Sequence, residues 1–242
     1  MTQYKPQFTI TDEISRLKSK ILKQEKSGVK AHIHATDEIL YNAHVRSVHS
    51  TLAVENPTFS LTLAEVEDII GNQYVSCSHN EIRAVQNAYA AYTWLDIYHP
   101  PNPYSATDLL HAHSMFMAGF TKEAGSFRPD NLIPRLIDNL LDWVKTSDEH
   151  PLIKSCVFHY EVMHLRPFGA GNGLVARLWH ILLLYLWRMP MGLRLANYIC
   201  MRKEEYFAAL AIADKAVGCT KFIEFMLQAI RDAIMEYDRT YG

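Results

Sequence analysis

Three things are scarce in this sequence, and each scarcity removes a class of function. Cysteine is the first: Cys77, Cys156, Cys200 and Cys219 are widely scattered, with no CxxC pair among them. That spacing suggests neither a zinc site nor a disulfide framework, and a reducing cytoplasm is the expected compartment. Long apolar runs are the second. The longest, LWHILLLYLW at 178–187, contains His180 and falls far short of the roughly 20 residues that cross a bilayer. It reads as a buried helix, and no membrane partner is expected. The opening stretch, MTQYKPQFTI, lacks the apolar core of a secretory signal. The third is charge of one sign. The formal net charge is −2, so nothing draws the chain in bulk toward nucleic acid or anionic lipid. The mixed run RLKSKILKQEK at 16–26 reads as the solvated face of a helix, and no nucleic-acid partner is expected.

Apolar bulk is plentiful: 49% of the residues are hydrophobic, enough to bury a real core. The periodicity is helical nearly everywhere, and no segment alternates as a strand would. Ile10, Ile14, Leu17 and Ile21 mark a first helix after Thr11 and Asp12, which offer an N-cap. A second helix is expected over 36–50. A short one in LTLAEVEDII closes at Gly71, and a long one over 80–98 ends at the Pro100–Pro103 turn. Further helices are expected over 105–120, 134–146, 150–165, 172–188, 202–215 and 220–238. Asp148 is the candidate cap for the 150–165 helix, whose Pro151 suits a first turn. The aromatic and methionine stripes, Tyr89, Tyr92, Trp94 and Tyr98, and Met115 and Met117, read as core. The fold class is all-α: a single helical domain, with residues 1–60 as a small N-terminal helical extension and 61–242 as the core.

The chemistry concentrates in HLRPFGAGNGLVARLW, residues 164–179. Gly171, Asn172 and Gly173 make a turn that leads straight into an apolar helix. Glycines there let the backbone take left-handed angles and aim its N–H groups at one spot, and the helix N-terminus adds partial positive charge. Such a turn is a weak phosphate signal alone. In context, however, Arg166-Pro167-Phe168-Gly169-Ala170-Gly171-Asn172-Gly173-Leu174-Val175-Ala176-Arg177 resembles the signature of the Fic family of protein AMP-transferases, H-P-F-x-[D/E]-G-N-G-R-x-x-R. The flanking HPLIKSCVFHYEVMH, the stretch LLHAHSMFMAGFTKEAGSFR and the closing pair with Tyr206, Phe225 and Leu227 are also similar to that family. The resemblance covers most of residues 8–240 and implies a Fic-like helical core.

The departures matter as much as the matches. The resemblance implies a His as general base where Arg166 stands, and a guanidinium takes no proton at usable pH. It implies an acidic Mg²⁺ ligand where Ala170 offers no oxygen, and a phosphate-clamping Arg where Leu174 offers no donor. His164 and His159 stand too far round the helix to replace the missing base and read as structural. A positioned base contributes roughly 10²- to 10⁴-fold, so AMP transfer of the family type is expected to be impaired. The resemblance also implies an inhibitory helix of the pattern [S/T]-x-x-x-E-[G/N]. Thr51, Glu55 and Asn56 fit it, with Glu55 set to pair with Arg177 near 51–56. Only Pro129–Ile133 separate Arg128 from the next helix, leaving no room for the family's target-aligning hairpin.

Three readings follow. In the first, a degenerate Fic-like protein keeps a nucleotide or phosphate site at Gly171, Asn172, Gly173, Arg177 and Arg166, with ATP as the ligand, Mg²⁺ disfavoured by Ala170, and a regulatory role. In the second, an AMP- or nucleotidyl-transferase works on protein hydroxyls with non-standard residues. In the third, the chain is an interaction scaffold or the partner of an intact Fic protein. The resemblance also implies homodimers and a protein target or partner. No catalytic residue of the family set is intact and no resident metal is expected.

Overall fold

The computed structural model describes residues 4–28, 37–95, 100–187, 195–216 and 218–241. Within them lie eleven helices and no strand: α1 (Asp12–Gly28), α2 (Asp37–Glu55), α3 (Leu63–Ile70), α4 (His79–Thr93), α5 (Ala106–Met117), α6 (Ile133–Thr146), α7 (Pro151–Leu165), α8 (Asn172–Leu186), α9 (Leu195–Met201), α10 (Lys203–Ala216) and α11 (Thr220–Tyr241). The expected all-α fold class is what the described residues adopt.

Local chemistry sets most boundaries. Thr11 Oγ1 accepts from the Ile14 N–H at the start of α1. Thr62 with Glu65 and Ser78 with Glu81 form reciprocal capping boxes that start α3 and α4. Where expectation and structure differ, the cause is local. His150, not Asp148, caps α7, its Nδ1 accepting from the Leu152 N–H. Gly71 does close α3, but the left-handed residue is Asn72, with φ 57°. The second helix does not stop at 50: α2 continues to Glu55 and carries Thr51 and Glu55 on its last turns. α4 ends at Thr93, short of the expected 98; 96–98 lie outside the described residues, as do 36 and 188. α9, only 7 residues long, is too short to show a period and was not foreseen.

The helical hairpin α7–α8 is the centre. Its residues from Leu152 to Val162 and from Gly173 to Leu184 are almost all buried, and a helix apolar all round belongs inside. Phe158 stacks on Trp179 across the hairpin, and Trp179 Nε1 donates to the Pro103 carbonyl. α5 and α6 pack on one flank of this pair, and α11 packs on α7 with α1, α9 and α10 around it. α1 joins through Ile14, Leu17 and Ile21, all buried, whereas Ile10 lies ahead of the helix and is exposed. α2 is the bridging element, touching α3, α4, α8 and α9. It therefore delivers its C-terminal end to the start of α8. Tyr92 is core, as expected, and Tyr89, Trp94, Met115 and Met117 pack against it half-buried, while Tyr98 lies outside the described residues.

The core also encloses histidines. Burial holds His44 down to about 4 and His180 down to about 3, and pushes His159, which bonds Tyr206 Oη, well below the ordinary value. Such rings stay neutral in the folded chain while the unfolded chain protonates near 6.5. Their contribution is therefore complete above pH 6.5 and is lost as pH falls below it. We expect the urea midpoint to fall steadily from pH 7 to 4.5, with proton uptake on unfolding and roughly 2–3 kcal/mol lost per buried ring. A midpoint flat across that range would contradict this arrangement.

Candidate functional site

The connection from α7 to α8 is built from backbone strain and one side chain. Arg166 ends α7 in the left-handed region at φ 46°, its N–H donating to the Val162 carbonyl. Asn172 then closes the turn, its Oδ1 accepting from the Phe168 N–H and its Nδ2 donating to the Phe168 carbonyl, both at 3.0 Å. The intact Phe168–Asn172 spacing is thus a structural requirement. Gly171 takes φ 75° as the N-cap of α8, and a Cβ there would lie 2.8 Å from Met117 Sδ. No side chain caps α8, so its first turn is left as a cradle of N–H groups with partial positive charge.

His113 of α5 supports this turn from below, a residue that sequence reasoning missed. Its Nδ1 accepts from the Gly125 N–H, so the proton sits on Nε2, which donates to the Ala170 carbonyl at 3.1 Å. Its ring stacks on Phe168 at 3.9 Å, and burial lowers its pKa. Only the second histidine of HAHSMFM hinted at it, and nothing local tied it to residues almost sixty positions on.

Two helical i, i+4 pairs meet at the cradle. On α8, a long side chain leans back toward the helix N-terminus, so Arg177 reaches over Gly173. On α2, Thr51 and Glu55 share a face one turn apart. Arg177 Nε donates to Thr51 Oγ1 at 2.6 Å, and its Nη2 donates to the Thr51 carbonyl at 3.2 Å and to Glu55 Oε2 at 2.9 Å. Burial works against the Arg177 charge, but the Glu55 carboxylate holds its pKa above the ordinary value. Gly173 leaves the room: a Cβ on it would lie 2.5 Å from Glu55 Oε2 and 2.8 Å from Arg177 Nη1. Glu55 thus lies against the first turn of α8, where an anion is favoured.

Beside this pair opens a cleft of ≈ 400 Å³. Leu52, Phe59, Ala84, Phe116, Met117, Phe120 and Leu174 give it an apolar lining, with Glu55, Asn56, Ser78 and Glu81 among its polar groups. Ala170, Gly171 and Leu174 all line it, so two of the three altered signature positions face one space. Met117, expected as core, also forms part of this wall. Asn56 turns the chain out of α2, its Oδ1 accepting from the Thr58 N–H and hydroxyl.

The structure brings Thr51, Glu55, Gly173 and Arg177 together, with Gly171 and Asn56 on the same cleft. It does not bring Arg166 into that lining. Arg166 is exposed, and its carbonyl accepts from Arg128 Nε. His164 pairs with Asp214 at 2.8 Å. Residues 128–132 form a tight turn pinned by the Arg128 N–H on the Pro167 carbonyl and the Leu132 N–H on Asp130. No described residue there is in a strand.

The Fic/DOC family profile matches residues 103–184. Across 98% of this chain and 77% of the other, the fold superimposes with a TM-score of 0.89, at 33% identity, on a crystal structure of a Fic family protein from Desulfovibrio desulfuricans G20. Fic-1 from C. elegans gives a TM-score of 0.78 at 19% identity over 93% of this chain and 73% of that one, a likeness of fold. The protein adenylyltransferase fic-1 of Caenorhabditis briggsae is 24% identical over 227 residues, covering 85% of this chain but only 43% of that relative's length. The chain belongs to the Fic/DOC family and is related to the protein adenylyltransferases.

The close approach at Gly173 yields a thermodynamic test. Alanine there favours the helix by about 1 kcal/mol, but its methyl must push the Glu55 carboxylate off Arg177. In the wild type, Glu55→Gln should cost about 1–2 kcal/mol of stability. In a Gly173→Ala background the same change should cost almost nothing, measured by urea denaturation. Equal costs in both backgrounds would show that Gly173 does not make room for the pair.

Proposed function

We propose that this Fic/DOC protein is a regulatory binding module in which AMP transfer has been lost and the nucleotide site survives in latent form. The observation that carries the reading is the bond from Arg177 to Glu55 across the first turn of α8. The family's expected machinery needs a base, a metal ligand and a phosphate clamp. Arg166, Ala170 and Leu174 occupy those positions and supply none of them. Among the described residues no group of three or more His, Cys, Asp and Glu stands ready to hold a metal.

The residues present do not fit a triphosphate while Glu55 stays in place. Arg177, the remaining signature cation at the cradle, is spent on Glu55 and Thr51, and a second carboxylate, Glu81, lines the cleft. An anion entering there would meet repulsion before it met a donor. Removal of Glu55 would free Arg177 and the first-turn N–H groups of α8 together. On this reading residues 1–60 are a regulatory extension whose α2 closes the site of the 61–242 core, and ATP is the nucleotide it excludes. Arg166 stands one turn of chain before the cradle and adds positive potential outside it.

The test is calorimetric titration of ATP, with and without Mg²⁺. Wild type should bind weakly or not at all, Glu55→Gly at least about tenfold more tightly, as the loss of one charged competitor for Arg177 implies. Binding should not depend on Mg²⁺, and neither protein should label itself or a target with AMP. Mg²⁺-dependent binding or transfer would sink the reading in favour of a working transferase. Unchanged affinity in Glu55→Gly would reduce the pair to a staple between α2 and α8.

A further inference from the structure

The cleft beside the ion pair is unlike a phosphate site. It has the volume of a small-molecule pocket, ≈ 400 Å³, and its walls are largely aliphatic and aromatic. Leu174 and Ala170 add apolar surface where the family pattern would place a guanidinium and a carboxylate. Among the described residues no lysine or arginine lines it, whereas Glu55 and Glu81 do. Glu81 is committed to its capping box, its Oε2 accepting from the Ser78 N–H and hydroxyl. Glu55 is committed only in part. Arg177 engages Oε2, and 32% of the Glu55 side chain is exposed, so Oε1 remains outside that bond.

The C-terminal end of α2 lies at the same wall through Leu52, Glu55 and Asn56, and a helix C-terminus favours a cation. Lys203 already answers one of its carbonyls, donating from Nζ to Ala53 O at 2.6 Å. The greasy rings of Phe59, Phe116 and Phe120 and the thioether of Met117 suit an aromatic body.

We propose that this cleft is a binding site for a small aromatic amine, its ring among Phe116, Met117, Phe120 and Leu174 and its ammonium on the Glu55 carboxylate. The proposal rests on the reading that Glu55 stays paired with Arg177 in the resting chain. Such a ligand holds Glu55 in place and opposes entry of a nucleotide, so the two ligands are antagonists at one carboxylate. The signature changes at Ala170 and Leu174 then mark a change of ligand class from anionic to cationic.

The probes are 2-phenylethylammonium and 3-phenylpropionate, similar in body and opposite in charge, titrated into the full chain by backbone amide NMR. The amine should shift the amides of Leu52, Phe116 and Gly171, and the carboxylate should bind at least about tenfold more weakly. Glu55→Gln, which keeps shape and can still accept from Arg177, should bring the two probes to similar affinity. Leu174→Arg, if folded by its thermal midpoint, should reverse the preference. The carboxylate binding as tightly as the amine, amine affinity unchanged in Glu55→Gln, or no shift of the cleft amides would each overturn the proposal. These outcomes are separate from ATP binding by Glu55→Gly: either arm can fail while the other succeeds.

Discussion

A buried guanidinium must be answered, and the answer organises this molecule. Arg177 is 2% exposed at the heart of the α7–α8 hairpin, where an uncompensated charge would cost several kcal/mol. Thr51 and Glu55 supply the compensation from α2, and that forces α2 to dock its last turns on α8. Gly173 follows, because a side chain there would lie on the pair. The turn before it follows as well: Asn172 and Phe168 lock the entry to α8, and His113 holds that turn through Ala170. The N-terminal part of the chain and the signature turn are thus one electrostatic unit, although more than a hundred residues separate them.

Helices were legible because their signals are local. Periodic apolar residues, the glycine at 71 and the proline at 151 say where helices run, end or begin without reference to the rest of the chain. The Glu55–Arg177 pair was legible only through the family resemblance, since no rule of composition or period links positions 55 and 177. What stayed hidden is tertiary. The walls of the cleft come from α2, α4, α5 and the α8 entry, and Phe59, Ser78 and Phe120 carry no mark that they share a space. His113 is a similar case, a histidine on an amphipathic helix whose role depends on a carbonyl supplied by Ala170. A methionine at helical spacing is normally core; one side of Met117 is core and the other is wall.

The same contrast explains why substitutions at the signature are tolerated by the fold. Pro167, Phe168, Gly171, Asn172 and Gly173 keep the shape of the turn, and on the proposed reading Arg166, Ala170 and Leu174 alter its chemistry. The retained residues make backbone and packing contacts, whereas the altered positions face solvent or the cleft. Family scaffold and family chemistry are therefore carried by different residues, and the second can change while the first stays.

The proposed function requires Glu55 to occupy the anion position of the cradle, with Arg177 as the cation it withholds. The most direct measurement follows the Arg177 Nε–H and Gly173 amide resonances while inorganic pyrophosphate is titrated into wild type and Glu55→Gly. Both resonances should move in Glu55→Gly and hold still in wild type. Equal shifts in the two proteins, or shifts at other residues only, would contradict it.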